Sequence, residues 1–257
     1  MINIYDLWKR YAVNQVLKGL TLQVKTGETL VILGRSGVGK SVLLKHIIGI
    51  AKADRGYIEV GGVRISDLNG ERRYKATQRM GMLFQGAALF DSMNVEENTA
   101  FYLKQNGQPH TGQHYSKKEI ADMVTQALEM VGLSGVQEKM PSDLSGGMRK
   151  RAGLARLIVY RPEYLLYDEP TTGLDPITAM QINQLILKTQ EQLRATSIVV
   201  THDIFSALLV GDRLALHKDG KIAYIDKPEA FLKIEDPVIK FLKEMITKGP
   251  QAFRRRE

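Results

Sequence analysis

The chain has 257 residues, 44% of them hydrophobic, with no cysteine and a formal net charge of +8. This length and apolar content fit one large α/β domain, or at most two small domains, and exclude a largely disordered chain, while the absence of cysteine excludes disulfides and thiolate metal sites. The basic balance is compatible with nucleic acid, anionic lipid or a nucleotide as partner, but no dense Lys/Arg block lies inside the domain, and the cluster Arg254-Arg255-Arg256 reads as a solvated tail.

No apolar run approaches the ~18–20 residues needed to span a bilayer. Met1 to Asp6 lacks the basic stretch and apolar core of a signal peptide. The expectation is a cytoplasmic chain whose membrane role, if any, comes through a partner. Residues 1–33 read as β-rich. Thr21-Leu22-Gln23-Val24 alternates, Lys25-Thr26-Gly27-Glu28 is turn chemistry, and Thr29 to Leu33 is a buried strand. Ser41 to Ile48 carries a helical apolar pattern. Tyr57 to Val60 and Val63 to Ile65 flank Gly61-Gly62, a hairpin signal.

From about residue 86 to 155 the chain reads as a helical insertion. Gln105 to Pro109 is a polar loop. Ser116 and Glu119 have capping-box spacing, and Ile120, Met123, Val124, Ala127, Leu128 and Val131 follow on one helix face. The methionines of this segment read as core filling. His110 and His114 stand four apart in a loop-like stretch and read as solvated. The α/β pattern then resumes with the buried strand Tyr164 to Tyr167. Asp175-Pro176 is an N-cap with proline at N1, opening a helix to about Arg194. Ser197 to Val200 is another buried strand, and Leu214-Ala215-Leu216 and Ile222-Ala223-Tyr224 bracket the turn Asp219-Gly220.

Gly34-Arg35-Ser36-Gly37-Val38-Gly39-Lys40-Ser41 fits G-x-x-x-x-G-K-[ST] between a strand and a helix, the context that motif requires. Glycines let backbone N–H groups curl around phosphate oxygens, and the helix N-terminus adds partial positive charge. Lys40 is the expected partner of the β- and γ-phosphates, and Ser41 an expected Mg²⁺ ligand. Phosphoryl transfer also needs a second metal anchor and a group that orients water. Asp168-Glu169 ends a buried strand at the edge where such sheets bind ligands. Asp168 is therefore assigned to Mg²⁺ and Glu169 to general-base catalysis.

To this point any P-loop nucleotidase fits. Leu144-Ser145-Gly146-Gly147-Met148, with Ser145 placed 23 residues before Asp168, resembles the signature of the ABC (ATP-binding cassette) family. Gln85, 45 residues after Lys40, matches that family's Q-loop. Thr172-Gly173-Leu174-Asp175 matches its D-loop, and His202 its H-loop histidine. Tyr11, 23 residues before Gly34, matches the aromatic that stacks on adenine. Ser145 also suits an N-cap that leaves N–H groups of Gly146 and Gly147 pointing outward.

The resemblance implies an α/β P-loop ATPase with a RecA-like core, an antiparallel β subdomain and a helical subdomain. The cassette spans 1–225, with the helical part about 86–155, and a C-terminal helical extension with a basic tail covers 226–257. It implies ATP and Mg²⁺ as cofactors and a homodimer that sandwiches ATP between the P-loop of one copy and the signature of the other. Glu169, His202 and Gln85 take the catalytic roles. Gln85 also reaches the metal, and Asp175 joins the nucleotide-binding set.

Met148, where most transport ATPases of the family have glutamine, narrows the resemblance; any contact there must be apolar. The stretches Gly86 to Asn98 and Leu144 to Arg151 look like the ATPases of MCE-linked, Mla-type phospholipid transporters, as do Tyr167 to Pro170 and Thr172 to Pro176. That likeness implies a separate permease whose coupling helix meets Leu89-Phe90, an MCE-domain lipid-binding protein, and a small STAS-type subunit. It places the chain on the cytoplasmic face of the inner membrane, with no nucleic-acid partner. Asp236 to Leu242, Gly249-Pro250 and Phe253-Arg254 resemble the tail of that group. An ABC ATPase serving an amino-acid or lipoprotein transporter, or a non-transport cassette acting on nucleic acid, are the competing readings.

Overall fold

The computed structural model describes residues 1–107 and 113–248. Gln108, Pro109, His110 and the whole tail from Gly249 onward, including Gly249-Pro250, Phe253-Arg254 and the Arg254-Arg255-Arg256 cluster, lie outside them. Strands β1 (Ile2–Tyr11) and β2 (Asn14–Val24) pair antiparallel, with Ile2 opposite Val24 and Tyr11 opposite Asn14. β4 (Arg55–Val60) adds to β1, and β5 (Val63–Arg64) adds to β4, giving a four-stranded sheet in the order β2-β1-β4-β5. The expected hairpin strand stops one residue early: Ile65 turns into a short 3-10 segment and buries its side chain.

The second sheet has six strands, in the order β10-β9-β3-β8-β7-β6. These are β3 (Thr29–Leu33), β6 (Met80–Leu83), β7 (Tyr164–Asp168), β8 (Thr196–Thr201), β9 (Arg213–Lys218) and β10 (Lys221–Asp226). β6, β7, β8, β3 and β9 run parallel, and β10 returns antiparallel on the edge. All residues of β3, β7 and β8 are buried, which is why the middle of each strand reads as an apolar run.

Alternation along those strands divides the core in two. Leu30, Ile32, Leu166, Ile198 and Val200 face the antiparallel sheet and helix α1 (Lys40–Ile47). Val31, Leu33, Leu165, Tyr167 and Val199 face the remaining helices. α2 (Gly70–Thr77) precedes β6. α3 (Val95–Asn106), α4 (Lys117–Met130) and α5 (Gly146–Ile158) form the segment between β6 and β7. α4 starts on the Ser116/Glu119 capping box. α3 starts on an equivalent Asn94/Glu97 box, a signal present in the sequence but not read from it. Gln105 and Asn106, expected in a loop, instead end α3 at Gly107. Met123, Met130 and Met148 pack against the helix-side core. α6 (Pro176–Leu193) begins on the Asp175 cap and ends at Arg194, as expected. α7 (Ile204–Val210), α8 (Pro228–Phe231) and α9 (Pro237–Lys248) complete the chain.

Candidate active site

The loop from Gly34 to Gly39 joins β3 to α1 and lies on the end of β9. A Cβ on Gly34 would stand 2.9 Å from the His217 carbonyl oxygen, and one on Gly39 would stand 2.5 Å from Val16 Cγ1. Gly37 and Gly39 have φ of 80° and 106°, values that suit glycine alone. The loop closes against β9 and Val16 only because Gly34 and Gly39 lack side chains. Arg35 and Ser36 are exposed on its rim, and Val38 is half-buried.

Lys40 is 5% exposed. Its Nζ donates to the carbonyls of Gly34 at 2.7 Å and Arg35 at 3.0 Å, and lies 3.2 Å from Glu169 Oε1. Ser41 Oγ donates to Asp168 Oδ1 at 2.7 Å. β3 and β7 flank β8, so the carboxylates that end β7 arrive beside the start of α1. Burial pushes the Asp168 carboxyl above its ordinary range; the Ser41 bond opposes this and the adjacent Glu169 adds to it.

Glu169 has φ of 47°, strained for a residue with a side chain. Its N–H donates to the Val200 carbonyl at 2.9 Å, which holds the turn. The turn aims the carboxylate back over the sheet edge. There Oε2 accepts from His202 Nδ1 at 2.8 Å and from Thr172 Oγ1 at 3.0 Å. His202 follows β8 and is held by the next turn, where Asp203 caps α7 through the N–H groups of Phe205 and Ser206. Its side chain is 51% exposed, so one face of the imidazole stays open to solvent.

These groups line one cleft of about 330 Å³, bounded by Ser36, Gly37, Gly39, Lys40 and Ser41 on one side and by Gln85, Glu169, Thr172 and His202 on the other. It combines a glycine-rich loop, a fixed cation, a carboxylate and a histidine, with the Asp168 carboxylate bonded to Ser41 at its wall, the parts needed to hold a triphosphate and polarise water. The hydroxyl of Ser41, the carboxylate of Asp168 and the amide of Gln85 are hard oxygen donors that fit Mg²⁺.

Other expected site residues stand apart from this cleft. Ser145 caps α5, accepting from the Met148 N–H at 3.3 Å. Asp175 caps α6 through the N–H groups of Ile177 and Thr178. The two caps are neighbours: a Cβ on Gly147 would stand 2.5 Å from Thr178 Cγ2, and one on Gly146 would stand 3.7 Å from Leu174 Cδ2. Tyr11 ends β1 at 46% exposure with Lys9 Nζ 5.2 Å from its ring centre. Val16, rather than Tyr11, lines the cleft.

Four residues near the site escaped the sequence reading. Thr172 belongs to the D-loop motif, and its spacing of three from Glu169 is the signal for its contact with that carboxylate. Val16 carries no motif at all. His217 lies buried on β9 behind the phosphate loop with neither ring nitrogen bonded, and burial together with Lys40 pushes its pKa down to about 4. Lys150, on α5, is buried and reaches the carbonyls of Gln85 and Glu169.

Residues 17–172 match the family model described as ABC transporter. The "intermembrane phospholipid transport system ATP-binding protein MlaF" of Haemophilus influenzae is 38% identical over 99% of this chain and 94% of its own length. The "probable ribonucleotide transport ATP-binding protein mkl" of Mycobacterium leprae is 39% identical over 93% of this chain. The chain spans about two thirds of the length of the mycobacterial relatives, 67% in that case and 65% in another. Among solved structures, a dimeric ATP-binding cassette in a post-hydrolysis state bound to ADP and Pi superimposes with a TM-score of 0.81 at 30% identity, covering 88% of this chain and 98% of that one. Phosphate loop, paired strand-end carboxylates, signature cap and histidine turn occur together on one matching fold, and the chain belongs to the ABC transporter family of ATPases.

Proposed function

We propose that this chain hydrolyses ATP as one of two cassettes of a phospholipid transporter whose membrane-spanning part is a separate permease. The observation that carries the hydrolytic reading is the single carboxylate of Glu169 held between Lys40 and His202 in the cleft of the phosphate loop. Lys40 and the loop N–H groups bind the triphosphate. Glu169 takes a proton from the attacking water, and His202 and Thr172 fix its rotamer. Ser41, Asp168 and Gln85 hold Mg²⁺, which neutralises charge on the phosphates when bound. Tyr11 stacks on adenine at the open end of β1. Gln85 adds its contact to the γ-phosphate and reports closure to the permease.

The dimeric solved relative supports a homodimer. In that pairing, Ser145, Gly146 and Gly147 of one copy address the γ-phosphate held by the other, and Asp175 lies along the shared boundary. Residues 1–225 are read as the cassette, with 86–155 as its helical part and 226–257 as an appended extension.

The end-to-end match to MlaF supports phospholipid as cargo, as does apolar Met148 packed where a polar residue is usual in transport cassettes. No helix of the described residues is long and apolar enough to cross a membrane; in this reading the permease supplies the passage. Phe90, 37% exposed against Phe101 and Arg156, offers that permease an aromatic docking point beside the half-buried Leu89. An MCE-domain lipid-binding protein and a small STAS-type subunit complete the proposed assembly at the cytoplasmic face of the inner membrane.

The test is to purify the Glu169→Gln chain from native membranes and identify co-purifying proteins and lipids by mass spectrometry. A permease with an MCE-domain protein and bound phospholipid supports the reading. A different permease, or ribonucleotide as the retained cargo in keeping with the name of the mycobacterial relatives, overturns the substrate and leaves the ATPase standing.

A further inference from the structure

Lys150 is a buried cation that the reaction outlined above does not use. It sits in the second turn of α5, five residues after Ser145, and is 5% exposed. Burial lowers its pKa, with Asp168 and Glu169 pulling the other way. A lysine in such a place is costly unless its ammonium is well bonded. Here Nζ donates to the backbone carbonyl of Gln85 and, at 3.4 Å, to that of Glu169. These carbonyls belong to the two segments that send Gln85 and Glu169 into the cleft. That of Glu169 ends a residue with φ of 47°, so a cation on this oxygen helps hold a peptide that would otherwise relax.

The rest of α5 repeats the contact. One turn on, Gly153 lets the helix approach so closely that a Cβ there would stand 3.1 Å from the Ala87 carbonyl oxygen. A further turn on, Arg156 donates to the Ala88 carbonyl at 2.6 Å. Positions 150, 153 and 156 share one helix face, and that face grips the backbone from Gln85 to Ala88.

We propose that Lys150 is a positioning residue: it ties the carbonyls of Gln85 and Glu169 to the helix that carries the signature at its N-terminus. A shift of α5 at that end is then passed directly to the general base and to the Q-loop glutamine. The inference rests on the ATPase reading of this site.

The test uses the full-length chain in the complex purified from native membranes, comparing the parent with Lys150→Met and Lys150→Gln. Binding of a fluorescent ATP analogue and steady-state ATP turnover are measured for each. For Lys150→Met, kcat is expected to fall about tenfold or more while KM and analogue affinity stay within about twofold, the pattern of a lost transition-state contact. Lys150→Gln, whose carboxamide can still donate to both carbonyls, should recover kcat to within about threefold of the parent. If Lys150→Met fails to fold, Lys150→Ser gives the same readout. A Lys150→Met enzyme with kcat within about twofold of the parent overturns the proposal. So does equal damage in both variants with ATP affinity lost alongside, since that marks general loss of packing. A parent complex without ATP turnover sinks the ATPase reading itself, whereas a hydrolysing parent with an unimpaired Lys150→Met sinks only this inference.

Discussion

Glu169 Oε2 lies 2.8 Å from His202 Nδ1, while the other oxygen of the same carboxylate lies 3.2 Å from Lys40 Nζ. One carboxylate therefore bridges the lysine proposed to bind phosphate and the histidine that follows β8. Glu169→Gln keeps the shape and removes the basic oxygen. It is expected to lower ATP turnover roughly 10²- to 10⁴-fold while ATP still binds. Steady-state hydrolysis alongside analogue binding checks this, and normal turnover would refute the role of Glu169.

Lys40→Ala acts on binding. The ammonium is already positioned by the Gly34 and Arg35 carbonyls, so its removal costs a preformed charged contact. ATP affinity is expected to drop about 10- to 100-fold, from the ~1.5–3 kcal/mol of a hydrogen bond to a charged group. Unchanged affinity by equilibrium titration would sink the phosphate-site assignment.

The contact between Gly147 and Thr178 predicts a paired effect. An added Cβ at Gly147 meets Thr178 Cγ2 at 2.5 Å. Gly147→Ala is therefore expected to destabilise the fold by about 1–3 kcal/mol through overpacking. Thr178→Ser deletes that methyl but keeps the hydroxyl that donates to Asp175 Oδ2, so the double variant should regain most of the loss. A denaturant-melt cycle of the four proteins measures it, and purely additive effects would show the contact to be irrelevant.

His217 predicts a pH dependence of stability. Its pKa is held at about 4 in the fold against 6.5 for the free side chain. Between these values the unfolded chain binds a proton that the folded chain refuses, so stability rises with pH across the window and falls as pH drops from 6.5 towards 4. The loss is on the order of 3 kcal/mol for this group alone. His46, also lowered by burial, adds to the fall, and Asp168, raised by burial, opposes it. Melting curves of His217→Leu should show a shallower acid slope than the parent; equal slopes would place the titration elsewhere.

The local elements were legible because their signals are local. Buried runs such as Thr29 to Leu33 need no partner to read as central strands, Asp175-Pro176 announces its own helix, and the glycines of the phosphate loop impose their turn. The family motifs extended this to Gln85, Asp168, Glu169 and His202, all of which the structure brings to one edge of the sheet. Strand order was not legible: that β8 lies between β3 and β7, putting Ser41 against Asp168 across 127 positions of chain, follows from packing between distant segments. The same holds for Lys150 and His217. Each has an ordinary local sequence context, and only the fold buries Lys150 against the backbone carbonyls of Gln85 and Glu169 and His217 behind the loop from Gly34 to Gly39. A residue's desolvation is set by everything packed around it, so the sequence by itself determined which groups are candidates for the chemistry, and the tertiary structure decided which others pack against them.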